Sequence, residues 1–351
     1  MGSVKSFASD NWSGVSPEVM QALQKANAGH NQAYGELEDP FMIAAEKKFK
    51  EHFGPHIALF FVYNGTAANV LGVSHLMNSY HAIVAAHTAH LNEDECAAPE
   101  KFIGTKVLEI DTANGKITPD QVEPFLMSIG FQHHPQPRVI SISQVTEMGT
   151  VYTPDEIKTL ADYAHSKNMF LHLDGARIAN AAVSLEVDFK TMITDTGVDV
   201  ISFGGTKNGL MFGEAVVFLN KDLAIDFEYR RKQGMQLHSK MRFIASQFET
   251  YLTNDLWKNN ATHSNNMAKL LESEIKTISK LELSQEVKAN GVFVYMPKEI
   301  IEKVQEKYFF HIWNESPKGK DNYKEVRLMC SWDTSVEDIN GFIDAVKIAI
   351  T

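Results

Sequence analysis

Residues 200–218 read VISFGGTKNGLMFGEAVVF, with one lysine, Lys207, set between apolar runs and crowded by glycines at 204, 205, 209 and 213. Burying a bare ammonium is expensive. The lysine therefore either snorkels to water from a turn or uses its amine in chemistry. An apolar pocket disfavours the charged form, and a neutral amine is a nucleophile that forms Schiff bases with carbonyls. A P-loop does not fit, because G-x-x-x-x-G-K-[ST] puts lysine before the hydroxyl residue and here Thr206 precedes it. Asp174 lies 33 positions earlier (207 − 174) and closes the apolar run LHL. Its carboxylate serves either as a cap on the following helix or as partner to a cationic ring nitrogen. Gly65-Thr66-Ala67 follows the apolar run IALFFVYN. That junction is a plain strand-to-helix turn or a phosphate cradle, since first-turn N–H groups carry partial positive charge.

Other candidates carry two readings each. His90 lies in AAHTAHLNEDECAAPE. H-T-A-H with three acids invites a metal, but no further ligand cluster follows, so no metal site is expected. The other reading is an imidazole stacked on a cofactor ring and oriented by Glu95. Arg177 and Arg327 present guanidinium forks that bind carboxylates in bidentate fashion or form ordinary surface ion pairs.

These residues need elements to hold them. IALFFVYN (57–64), RVISISQ (138–144), MFLHLD (169–174) and DVISFGG (199–205) read as buried strands, with helices expected over 65–80 and 153–168. TPDE at 153–156 supplies Thr153 as N-cap, Pro154 at the first helical position and Glu156 for a capping box. The alternation argues for βαβ units and a mostly parallel sheet. Such sheets carry ligands at the carboxyl ends of their strands, where Gly65-Thr66, Asp174 and Lys207 all fall. Beyond about residue 230 the pattern changes. A long helical stretch (244–280), strands at GVFVYMP (291–297) and EVRLMCSW (325–332), and a helix over 336–350 suggest a smaller α+β domain. The expected division is an N-terminal arm (1–20), a large α/β domain (21–235) and a small C-terminal domain (236–351).

The chain has 351 residues, a formal net charge of −11 and 44% hydrophobic content. The acidic balance argues against a nucleic-acid partner. No apolar run approaches the length of a membrane span, and the N-terminus has no signal-peptide apolar region. Two cysteines, Cys96 and Cys330, give no disulfide framework. A cytoplasmic protein is expected.

HLDGARIANAAV followed by SFGGTKNGL resembles the threonine aldolase and β-eliminating lyase family of pyridoxal 5'-phosphate (PLP) enzymes. FASDN (7–11), AYGELEDP (33–40), YNGTAAN (63–69), AHLNEDECAA (89–98) and EVRLMCSWD (325–333) resemble further family segments, so the likeness spans nearly the whole chain. It implies the fold type I, PLP-dependent transferase-like architecture. Lys207 would be the Schiff-base lysine, Asp174 the partner of the pyridinium nitrogen, and His90 the stacking imidazole. Gly65 and Thr66 would hold the phosphate. Ser9, Arg177 and Arg327 would grip an amino-acid carboxylate. The resemblance further implies aldol cleavage of L-threonine or L-allo-threonine, with β-elimination or transamination as alternatives. It also implies a homodimer or homotetramer with the active site at a subunit interface, the basic stretch 230–242 reaching a neighbour's phosphate site. QVTEMG (144–149) departs from the family's E-N-T-H-N-G: Glu147 stands where relatives carry a second histidine.

Overall fold

The computed structural model describes residues 6–35 and 38–351. Residues 1–5 of the expected N-terminal arm, and residues 36 and 37 of AYGELEDP, lie outside the described residues. The main sheet has seven strands: β1 (Ala58–Val62), β2 (His81–Ala86), β3 (Lys106–Ile110), β4 (Gln136–Ser143), β5 (Phe170–Gly175), β6 (Val200–Phe203) and β7 (Glu214–Phe218). Their order is β1-β7-β6-β5-β4-β2-β3. The pairs β2–β3, β2–β4, β4–β5 and β5–β6 are parallel, while β7 runs antiparallel to both β6 and β1. Because β7 is reversed, its first residue lies at the same edge as the last residues of its neighbours; Glu214 pairs with Val62.

Alternation along the central strands separates two environments. Ile140, Ile142, Leu171, Leu173, Ile201 and Phe203 enter one apolar core. The opposite face of the same strands carries a buried polar stripe, Ser141, His172 and Ser202, with Asp174 beyond it. The helix Gly65–His75 covers that face; a Cβ on Gly72 would touch Val216 and Val200 at 3.4 and 3.5 Å. It ends at His75, before the expected residue 80, because β2 begins at His81.

Thr153, Pro154 and Glu156 form the expected N-terminal box on the helix Pro154–Ser166. The stretch expected as one helix over 244–280 is two, Arg242–Tyr251 and Leu256–Ile275. Asn254 and Asp255 adopt left-handed backbone (φ 51° and 56°), a conformation asparagine and aspartate tolerate and a continuing helix does not. Strands β2 and β3 escaped the sequence reading: HAIVAA is half alanine, a weak strand former.

A second, antiparallel sheet has four strands, β8 (Glu282–Leu283), β9 (Gly291–Pro297), β10 (His311–Asn314) and β11 (Tyr323–Met329), in the order β10-β11-β9-β8. The helix Val336–Ile350 packs its Ile339, Phe342, Ile343 and Val346 into the core of this sheet. Phe7 joins that core, its ring 5.0 Å from Phe342. The Phe7 carbonyl accepts the Met329 N–H at 2.8 Å. The N-terminal segment is thereby tied to the end of β11 and delivers Asp10 between the two sheets. Among the described residues no helix is long and apolar enough to cross a membrane, and no cluster of metal-ligating side chains occurs. Cys96 and Cys330 are both unpaired.

Candidate active site

Five candidate residues line one cavity of about 290 Å³: Gly65, Thr66, His90, Asp174 and Lys207. All come from segments that leave the carboxyl ends of strands running in the same direction. Arg177, Arg327 and Glu147 line a neighbouring cleft, so the eight candidate positions other than Ser9 divide between two adjoining walls.

The helix after β1 starts correctly for anion binding. Asn64 is its N-cap and accepts the Ala67 N–H at 2.9 Å. Among the described residues the Gly65 and Thr66 N–H groups have no protein acceptor. No atom comes within 4 Å of a Cβ built on Gly65. The helix therefore presents two free N–H groups to open cavity.

Asp174 is buried at 7% exposure. Its Oδ1 accepts the Ala176 N–H at 3.0 Å. Its Oδ2 accepts from Asn69 Nδ2 at 3.0 Å. The carboxylate thus closes a local turn without capping the next helix, whose N-cap is Arg177. Beneath it His172 bonds Ser141 at 2.8 Å and Ser202 at 3.0 Å. Burial pulls the His172 pKa down to about 4, against the attraction of Asp174. The imidazole is neutral at pH 7, so it adds no second charge under Asp174.

His90 opens a short helical turn after β2, and its Nδ1 lies 2.9 Å from Glu95 Oε1. That bond raises its pKa, against burial and with help from Asp174 and Glu147. His87 faces outward and pairs with Glu109 instead.

Lys207 sits in the turn Thr206–Asn208. Among the described residues its Nζ has no hydrogen bond or ion pair. Its surroundings are not the apolar pocket expected: the carboxylates of Glu214 and Asp10 both act on it. Glu214 lines the same cavity. Burial pushes its pKa up to about 8, opposed by Lys207 and Thr206 and reinforced by Asp174.

The second wall is a network of charges. Arg177 donates from Nε and Nη2 to Asp10 at 2.7 and 3.0 Å, and Asn290 donates to the same Asp10 at 2.9 Å. Burial works against the Asp10 carboxylate, but the Arg177 guanidinium outweighs it and holds its pKa below the ordinary range. Arg327 differs. It stacks on Trp313 at 4.7 Å and approaches Glu147 only at 4.0 Å. Its buried Nε has no partner. Burial and the like charge of Arg177 both disfavour its cation. A buried guanidinium left in this state is an anion receiver. Ser9 uses its hydroxyl locally, accepting the Asn11 N–H at 3.1 Å.

The sequence reading missed three residues of this arrangement. Asn69 had a signal: a lone amide within the apolar helix GTAANVLGV, four positions after Gly65. Glu214 had none under the rule used, because it begins a reversed strand. Asp10 sits beside Ser9, and nothing in SDN distinguishes which residue turns inward.

The geometry suits a flat, cationic ring with an anionic tail. It offers an N–H cradle for the tail, a buried carboxylate for the ring, an imidazole wall and an unpartnered amine. Comparisons with known proteins agree. Residues 6–299 match the beta-eliminating lyase family. The chain is 40% identical to a low specificity L-threonine aldolase of Pseudomonas aeruginosa, covering 98% of this chain and 97% of that one. It is 42% identical to the corresponding enzyme of a second Pseudomonas, covering 98% of each. A solved threonine aldolase of Leishmania major superposes with a TM-score of 0.92 at 26% identity, covering 98% of this chain and 99% of that one. The chain therefore belongs to the beta-eliminating lyase family. Its fold is the PLP-dependent transferase-like fold type I, and it is a lyase of that class.

Proposed function

We propose that this protein is a PLP-dependent aldolase that cleaves β-hydroxy-α-amino acids, L-threonine and L-allo-threonine, to glycine and acetaldehyde. The observation that carries this reading is the meeting of Lys207, Asp174 and the free Gly65–Thr66 N–H groups in one cavity, beside an arginine with an unpartnered buried Nε. When bound, the cofactor supplies the electron sink for the pair left on Cα. The chain's own residues do the rest. Gly65 and Thr66 would hold the phosphate through backbone N–H groups, and the Asp174 carboxylate would face the ring nitrogen. His90 would form the wall beside the ring. Lys207 would supply the attachment amine.

Arg327 takes the substrate carboxylate, relieving its own uncompensated burial. Arg177, tied to Asp10 through Nε and Nη2, stiffens that wall and leaves its remaining Nη hydrogens for the substrate, with Ser9 at the rim. Holding the carboxylate fixes the Cα–Cβ bond in the orientation that cleaves. We assign Glu147 to accept the β-hydroxyl proton. Its 4.0 Å contact with Arg327 loosens once the arginine engages a carboxylate, and its charge already acts on His90.

The site is completed, in this reading, by a second copy in a homodimer or homotetramer. Tyr63, on the cavity, is 53% exposed, and Met235 in the 230–242 stretch is 79% exposed. The large and small domains are taken as 21–235 and 236–351, and the unpaired cysteines accord with a cytoplasmic protein. The test is product analysis on PLP-loaded protein with threonine and allo-threonine isomers. Acetaldehyde and glycine in equal amounts are expected; 2-oxobutanoate and ammonia would show β-elimination instead.

A further inference from the structure

Asn69 lies on the first turns of the helix Gly65–His75 and is buried at 3% exposure. Its Nδ2 has two hydrogens. One reaches Glu95 Oε1 at 2.7 Å and the other Asp174 Oδ2 at 3.0 Å. Glu95 Oε1 also receives His90 Nδ1 at 2.9 Å. An unbroken chain, His90–Glu95–Asn69–Asp174, thus joins two walls of the cavity. It comes from three segments: the turn after β2, the helix after β1 and the end of β5.

We propose that Asn69 is a positioning residue that couples the two ionisable walls of the cavity, holding Asp174 and the His90–Glu95 pair in register through the two hydrogens of one amide. Glu95 and Asp174 are both buried, at 5% and 7% exposure. Two buried carboxylates close together repel one another unless a donor sits between them. The Asn69 amide is that donor. Its orientation is fixed by the same contacts: turned over, its oxygen would face two anions. The amide oxygen is left buried without a partner, as is Glu95 Oε2. The network therefore tolerates two unsatisfied acceptors to keep both hydrogens on carboxylates. Removing the amide frees a lone pair on Glu95 Oε1 for His90 and takes a donor from Asp174. His90 then holds its proton more tightly, and Asp174 is less firmly oriented.

The proposal deepens the assignment of this cavity to PLP, and its first test does not depend on that assignment. His90 is titrated by NMR in cofactor-free protein, its resonance identified among the 14 histidines by difference against His90→Gln. The groups acting on it are Glu95, Asp174 and Glu147; those acting on the far end of the chain are Arg177, His172 and Glu214. Asn69→Leu is expected to move the His90 midpoint up by about one pH unit, the usual effect of strengthening one carboxylate contact. It is also expected to weaken PLP binding by about tenfold or more, as loss of one charge-assisted bond does. A side chain that merely filled space would lower the melting temperature and leave the His90 midpoint in place; that result overturns the proposal. Asn69→Asp keeps the side chain's size and serves if Asn69→Leu does not fold. It adds a third anion, so an unmoved or lowered His90 midpoint in it overturns the coupling equally. Wild-type protein that takes up no PLP would refute the assignment of the cavity while leaving the titration to decide the role of Asn69.

Discussion

Glu214 offers a test worked entirely from its position. It begins the reversed strand β7 and faces the cavity beside Lys207. Burial raises its pKa from 4.5 to about 8, with Asp174 adding repulsion and Lys207 opposing. Below the lower value both folded and unfolded chains carry the proton, and the group costs nothing. As pH rises through that window the unfolded chain releases its proton while the folded chain retains it. Stability falls until the folded pKa is passed. A displacement of about 3.5 units at ~1.36 kcal/mol per unit sets a ceiling near 5 kcal/mol. Partial exposure at the cavity wall lowers this to roughly 3 kcal/mol. Glu214→Gln keeps the shape and removes the titration. Urea unfolding of cofactor-free wild type and variant, at about pH 5 and about pH 9, gives the two free energies whose difference isolates this group. The variant should gain roughly 3 kcal/mol on wild type between the two conditions. Parallel pH profiles would refute the reasoning, since they would mean that Glu214 is ionised alike in both states.

Other outcomes follow from the second wall. Arg327→Ala should raise KM for the amino acid by roughly 30- to 100-fold, the loss of a charge-assisted carboxylate contact, while PLP absorbance is retained. Glu147→Gln should lower kcat by roughly 10²- to 10⁴-fold, the usual range for a general base, with KM little changed; steady-state kinetics on L-allo-threonine separates the two effects. Asp10→Asn should destabilise the protein by about 3 to 5 kcal/mol, because it leaves Arg177 buried without its counter-charge, and thermal unfolding reads this directly. Wild-type stability from the Asp10–Arg177 pair is complete above the ordinary Asp pKa of 3.8 and is lost as pH falls through the depressed folded value. An acid-unfolding midpoint unchanged by the substitution would contradict that assignment.

Much of the arrangement was legible because local rules carried it. The TPDE box fixed one helix start through side-chain bonds within four residues. The apolar runs at 169–174 and 199–205 marked strands buried on both faces, and the run at 57–64 marked a part-buried edge strand. The rule that ligands gather at carboxyl ends of parallel strands brings Gly65, Asp174 and Lys207 together from the sequence alone. What escaped depended on non-local facts. Glu214 joins the site only because β7 runs backwards, and no window of sequence reports strand direction. Asp10 reaches Arg177 across 167 positions, guided by the docking of Phe7 on the small sheet. The break at Asn254 and Asp255 is a backbone conformation that helical periodicity does not register. The pocket around Lys207 looked apolar because Asp10 comes from a distant segment and Glu214, only seven positions on, faces the lysine by way of the reversed strand β7.

The central claim is that Lys207 is the attachment point of a cofactor in a carbon–carbon lyase. Purified protein is incubated with PLP, reduced with borohydride, digested and mapped by mass spectrometry. The account predicts a single pyridoxyl label on the peptide carrying Lys207, no label there in Lys207→Ala, and loss of acetaldehyde release from threonine in that variant. Labelling at another lysine, or acetaldehyde release undiminished in Lys207→Ala, would contradict it.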